Sequence, residues 1–75
     1  MKMVNVVPKK DGWYWLRTCG TLGCTVVFLY RGGDHNHVLI QHISQGLIDT
    51  EDPEMIKKYD LATAYWSEEP LEMPE

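Results

Sequence analysis

Cys24-Thr25-Val26-Val27-Phe28-Leu29-Tyr30 is the stretch on which the fold turns. It is rich in β-branched and aromatic residues and almost continuously apolar, the pattern of a central strand covered on both faces. Glycines punctuate it on either side: Gly20 and Gly23 before it, Gly32 and Gly33 after it. Such residues supply turns cheaply, so the flanks read as loops. Upstream, Trp13-Tyr14-Trp15-Leu16-Arg17-Thr18 alternates. Trp13, Trp15 and Arg17 point one way, and Tyr14, Leu16 and Thr18 the other. Both sets contain apolar residues, so both faces of this strand are expected to be at least partly covered. Met3 to Val7 reads as a first short strand, separated from the second by the turn Pro8-Lys9-Lys10-Asp11-Gly12. Downstream, His37-Val38-Leu39-Ile40-Gln41-His42 reads as an antiparallel return strand. Short turns join antiparallel neighbours, so the order expected is a meander.

At Asp52 the period changes. In Asp52-Pro53-Glu54-Met55-Ile56-Lys57-Lys58-Tyr59, Asp52 suits an N-cap and Pro53 the first helical position. Glu54 suits the positive end of the helix dipole, and Lys57 and Lys58 the negative end. Met55, Ile56 and Tyr59 form one apolar stripe to pack on the sheet. Leu61-Ala62-Thr63-Ala64-Tyr65-Trp66 reads as the last strand, with Ala62, Ala64 and Trp66 on one face and Leu61, Thr63 and Tyr65 on the other. The fold class expected is α+β: a small twisted antiparallel sheet of four or five strands, loosely barrel-like, with one short helix. Leu16, Val26, Phe28, Val38, Ile40, Leu61 and Trp66 are its expected core. Residues 1–67 make the single domain. Residues 68–75 make an acidic, proline-containing tail, pinned near Leu71 and Met73.

The charge is split along the chain. Residues 1–48 carry five Lys or Arg against two acids; residues 49–75 carry nine acids against Lys57 and Lys58, and the net charge is −4. A 44 % hydrophobic content argues against wholesale disorder. The longest apolar run, Val26 to Tyr30, falls far short of the ~20 residues of a membrane-spanning helix. Met1-Lys2 leads into a polar break rather than an apolar signal core, so a cytoplasmic location and no membrane partner are expected. In such a compartment Cys19 and Cys24 are expected as free, partly buried thiols.

Chemistry-bearing constellations are weak. His35, His37 and His42 lack the paired cysteine spacing of a zinc site, so no metal and no other cofactor is expected. Cys19 or Cys24 with His37 or His42 lacks an orienting motif, and no enzymatic activity is expected. Trp13 and Trp15 beside Arg17 and Lys9 have the residue types of a base-stacking platform with phosphate contacts. An acidic chain argues against nucleic acid as the main partner. The acids Glu51, Asp52, Glu54, Glu68 and Glu69, with Tyr65 as an aromatic anchor, suit a partner with a basic surface. An edge strand also offers a homodimer across a two-fold axis.

Asp11-Gly12-Trp13-Tyr14-Trp15-Leu16-Arg17, followed by an apolar strand ending in tyrosine, a glycine turn, Ala64-Tyr65-Trp66 and a Pro-Leu-x-x-Pro ending, resembles small proteins encoded by phages and prophages. The shared residues are structural, and the resemblance carries no catalytic residues with it. It implies a bacterial host cell and an accessory protein that binds and inhibits or redirects a host protein, including defence nuclease complexes such as CRISPR effectors. The His-rich turn and the two cysteines depart from that layout.

Overall fold

The computed structural model describes residues 2–71. In chain order it contains β1 (Met3–Val4), β2 (Gly12–Arg17), β3 (Cys24–Gly32), β4 (His37–His42), β5 (Gly46–Asp49), α1 (Pro53–Tyr59), a 3-10 turn (Leu61–Thr63) and β6 (Tyr65–Ser67). The strands form one antiparallel sheet in the order β1-β6-β2-β3-β4-β5. The mixed α+β class holds. The sheet is open, with β1 and β5 as its edges, and not barrel-like, and it has six strands rather than four or five.

Strands β2 to β5 are the expected meander. Strand β6 breaks it by lying between β1 and β2. From the β5 edge the chain runs through α1 and the 3-10 turn and returns to the far side of the sheet. That return path covers one face. Tyr14, Leu16, Val27, Leu29, Val38, Ile40, Ile48 and Trp66 join Leu22, Tyr59, Leu61 and Ala64 in a single core, with Met55 and Ile56 of the helix packed against it. Removing each large apolar side chain from water contributes ~1.5–3 kcal/mol, enough for the sheet to hold a seven-residue helix that would not persist alone.

The helix has the expected ends. The Asp52 carboxylate accepts a hydrogen bond from the Glu54 amide at 2.9 Å, and Pro53 opens the first turn. Asp60 stops it in the left-handed conformation, φ 57° and ψ 42°. That stop tips Leu61–Thr63 into the 3-10 turn, so the expected strand over 61–66 is shortened to Tyr65–Ser67. Leu61 is buried and Ala62 exposed, the reverse of a strand in which Ala62 shares a face with Trp66. The first strand is shorter too. It pairs with only Trp66 and Ser67; past it, the Asn5 side-chain amide donates to the Ala64 carbonyl at 2.9 Å and Val6 is exposed.

The expected core assignments of Val26 and Phe28 are corrected. Register sets Tyr14 opposite Val27 and Trp15 opposite Val26. The covered parity of β3 is therefore Val27 and Leu29, while Val26 and Phe28 fall half-buried on the opposite face with the tryptophans. An apolar run alone does not fix parity; its partner strand does.

Candidate functional site: the open aromatic face

Among the described residues, the exposed large hydrophobic side chains other than Val6, namely Trp13, Ile43, Leu47 and Tyr65, lie on or beside the uncovered face of the sheet. Cross-strand partners share a face, so register assembles it directly. Trp13, Trp15 and Arg17 of β2 lie beside Phe28, Val26 and Cys24 of β3. Beyond them come Tyr30 with Leu39, and Gln41 with Leu47. On the other flank are Tyr65 and Met3. Leu39 is buried yet lies outside the core cluster, because its neighbours belong to this second face.

The aromatic rings pack on one another. Trp13 and Phe28 have centroids 5.0 Å apart at 60°, and Phe28 and Tyr30 are 5.9 Å apart at 29°. Trp13 remains 40 % exposed and Leu47 51 % exposed. Ile43, just past β4, stands out at 87 %. Between Ile43 and the tryptophans lies a hollow of 560 Å³, walled by Trp13, Trp15, Cys24, Val26 and Gln41. A smaller one of 240 Å³ continues it through Met3, Trp15, Arg17 and Cys24. The surface is thus a contiguous apolar patch with a central depression, a feature that marks interaction sites.

Its charge is nearly balanced. The charged side chains that strand register brings to this face are Arg17, His37 and Asp49, beside the Cys24 thiol and the hydroxyls of Tyr30 and Tyr65. The Arg17 guanidinium sits 5.3 Å from the Tyr65 ring centre, a cation–π arrangement. His37 Nδ1 and Asp49 Oδ2 are 2.8 Å apart on the diagonal between β4 and β5. The hydrogen bond that His37 Nδ1 donates to the Asp49 carboxylate holds His37 above its ordinary value, supported by the nearby charges of Asp49, Glu51 and Asp52 against some desolvation. Burial pushes the Asp49 carboxyl up, but the His37 hydrogen bond and the Glu51 and Asp52 amides outweigh it and leave it lowered. Wherever His37 is protonated, its charge and that of Asp49 offset each other on the face.

The residues singled out from the sequence separate into two groups. Trp13, Trp15 and Arg17 do come together on the open face, with Tyr65 across from Arg17. Lys9 lies on the exposed connection before β2. The acids do not form one array. Glu51, Asp52 and Glu54 cluster where β5 leads into α1, whereas Glu68 and Glu69 follow β6, four strand positions away, roughly 19 Å at ordinary strand spacing. Three of these five have internal partners. Glu51 Oε2 accepts from the Val38 amide at 2.7 Å, Asp52 caps the helix, and Glu68 pairs with Lys2 at 3.3 Å. Glu54 and Glu69 are exposed.

Leu71 is pinned as expected: its amide donates to the Trp13 carbonyl at 2.7 Å, so the chain lies along β2 after β6. Gly12 admits this strap, since a Cβ there would stand 3.0 Å from the Pro70 Cβ and its φ is +150°. The expectation for Met73 falls outside the described residues. Cys19 and Cys24 are free as expected but exposed rather than partly buried, because the β2–β3 loop and the open face leave them uncovered. Among the described residues no three His, Cys, Asp or Glu side chains stand together as a metal-ligand set. The His35 and His37 rings are 5.3 Å apart, and His37 Nδ1 is already engaged. No helix among the described residues is long and apolar enough to cross a membrane.

Sequence reasoning missed Phe28, Tyr30, Leu39, Ile43 and Leu47 as members of the open face, Leu39 buried within it and the others at least partly exposed. The missing signal was the pairing register: an apolar residue on a strand looks the same whether its face is roofed or bare. No protein-family model, curated protein or solved structure matches the chain.

Proposed function

We propose that this is a non-enzymatic interaction protein whose binding surface is the open aromatic face of the sheet, and that its partner is a host protein met in the cytoplasm of a bacterial cell. One observation carries the reading: the sheet has a helix on one side and a bare, charge-balanced apolar face with a 560 Å³ hollow on the other. Aromatic anchors around a depression are the usual source of binding energy at protein interfaces. Glu54 and Glu69, exposed at the periphery, together with the other acids, steer a basic partner toward the face. The likeness of the Gly12–Arg17 strand to phage accessory proteins supports a virus-encoded factor that inhibits or redirects that partner, with a CRISPR effector as one class of target.

The decisive experiment presents immobilised protein, a Trp15→Lys variant and a Glu54→Lys/Glu69→Lys variant to a bacterial lysate. The expected result is one stoichiometric protein retained by the parent, lost with Trp15→Lys, and retained in a more salt-sensitive way by the acid variant. Equal retention by the parent and Trp15→Lys overturns the reading.

A second reading has its own observation: Trp13, Trp15 and Arg17 share the open face, as single-strand binding would require. Quenching of tryptophan fluorescence by an oligonucleotide, weakening steeply with salt, is the result that would replace the first reading with this one.

A further inference from the structure

We infer that the free protein covers its open face with a second copy of itself, as a face-to-face dimer that must separate before a partner can dock. This rests on the open face being the binding surface. Three observations select a second copy as the occupant.

The first is charge. The chain is −4 overall, yet strand register brings to this face only Arg17 and the His37–Asp49 pair as charged groups. Two copies can therefore meet here without setting carboxylates against carboxylates, while their acids remain at the periphery. A nucleic acid would find one strand cation, Arg17, already engaged with Tyr65.

The second is shape. A two-fold interface must be self-complementary, so the same patch has to hold both a projection and a recess. Here Ile43, 87 % exposed, stands on the rim of the hollow whose other walls are Trp13 and Trp15. A two-fold axis lying in the plane between the sheets carries each Ile43 over the partner's tryptophan wall. Val26 of β3 lies between Trp15 of β2 and Ile43 past β4, so it falls nearest that axis.

The third is area. Six strands at ordinary spacing span roughly 24 Å, and six residues of strand run roughly 20 Å. Two such faces bury on the order of 1,000 Å², at the lower limit for a specific interface and well below the ~1,600 Å² of a standard one. Sheets stacked in this way keep side chains interdigitated about 10 Å apart. An interface of this size is reversible, which is what a surface that must be released to a partner requires.

Sedimentation equilibrium from about 1 to about 300 µM tests this. The wild-type mass is expected to rise from 8.7 kDa toward twice that value. Val26→Lys brings two ammonium groups together near the axis and is expected to weaken association at least about tenfold. Gln41→Lys adds a charge to the same contact from an exposed position, so its change leaves the core intact. Val6→Lys alters an exposed apolar residue outside the face and is expected to change nothing. Thiol alkylation gives a readout free of substitutions: Cys24 borders the hollow and Cys19 lies on the β2–β3 loop, so only Cys24 is expected to slow as protein concentration rises. A wild-type monomer throughout the range overturns the dimer. So does a dimer indifferent to both Val26→Lys and Gln41→Lys, which would place the contact elsewhere. A monomer that still retains its host protein through Trp15 overturns self-association alone and leaves the proposed function standing. A dimer whose host-protein retention ignores Trp15→Lys overturns that function alone.

Discussion

The two faces of this sheet are built from alternate residues of the same strands, yet they meet different fates. On one, Tyr14, Leu16, Val27, Leu29, Ile40 and Trp66 are almost wholly buried beneath the helix and the 3-10 turn. On the other, one residue away along each strand, Trp13, Trp15, Val26 and Phe28 pack sideways on one another and keep contact with solvent. Their hydrophobicity is comparable. What separates them is the single segment 50–64, which crosses from the β5 edge to the β6 position over one side only. Covering a sheet once suffices to fold it; the second face is left available for use.

The sharpest way to break this contrast is to truncate on each side. Trp66→Ala empties the middle of the roofed face, and urea unfolding is expected to show a loss of about 3–5 kcal/mol. Trp13→Ser on the open face removes mainly the contact with Phe28 and is expected to cost about 1 kcal/mol in the same measurement. Equal losses would mean that the open face is part of the folding core rather than a surface held in reserve.

A smaller effect tests how the roofed side is braced. His42 is buried on it, and its Nδ1 accepts the amides of Ser44 and Gln45, both at 3.1 Å, which leaves Nε2 to donate toward the Leu22 carbonyl. His42→Ala strands those groups and is expected to cost about 1–3 kcal/mol. The helix cap comes next. Asp52→Ala removes the acceptor for the Glu54 amide and is expected to cost about 1 kcal/mol, read as a lower melting temperature.

The open face has a pH signature of its own. His37 is raised from 6.5, so its contribution is complete below that value and is lost as the pH climbs through the raised one. Asp49 is lowered from 3.8, so its contribution is complete above that value and is lost as the pH falls through the lowered one. Both charges coexist between these limits. His37→Gln is therefore expected to lower the melting temperature slightly near pH 5 to 6 and to match wild type more closely near pH 9. A difference that grows with pH would contradict the pairing.

Much of the frame was legible from residue order. The Asp52-Pro53 start, the alternation from Trp13 to Arg17 and the long β3 run all formed the expected elements, but β3 is roofed on one face rather than on both. Strand β5 was not visible because four residues, only one of them buried, carry too little pattern. The parity of Val26 and Phe28, and with it the candidate site, depended on which neighbour each strand faces. That is a long-range fact, fixed by Tyr14 meeting Val27 and Leu16 meeting Trp66. The acids misled in a different way: charge close in sequence suggested one array, while Glu51, Asp52 and Glu68 are engaged in local hydrogen bonds and an ion pair that stabilise the backbone around them.

Strand β6 follows the other five strands in sequence, yet it is an interior strand, flanked by β1 and β2, the first two of them. Until Trp66 arrives, β1 has no neighbour and the β2–β5 meander has an uncapped side. The nascent chain must therefore carry two half-made apolar surfaces until Tyr65–Ser67 are free to pair. Completion comes as one late insertion that closes the 64-residue separation between Met3 and Ser67, the kind of non-local pairing that makes folding slow. A chain cut short ahead of Tyr65 lacks the strand that joins β1 to the sheet, and is a substrate for chaperones and proteases rather than a smaller version of the protein.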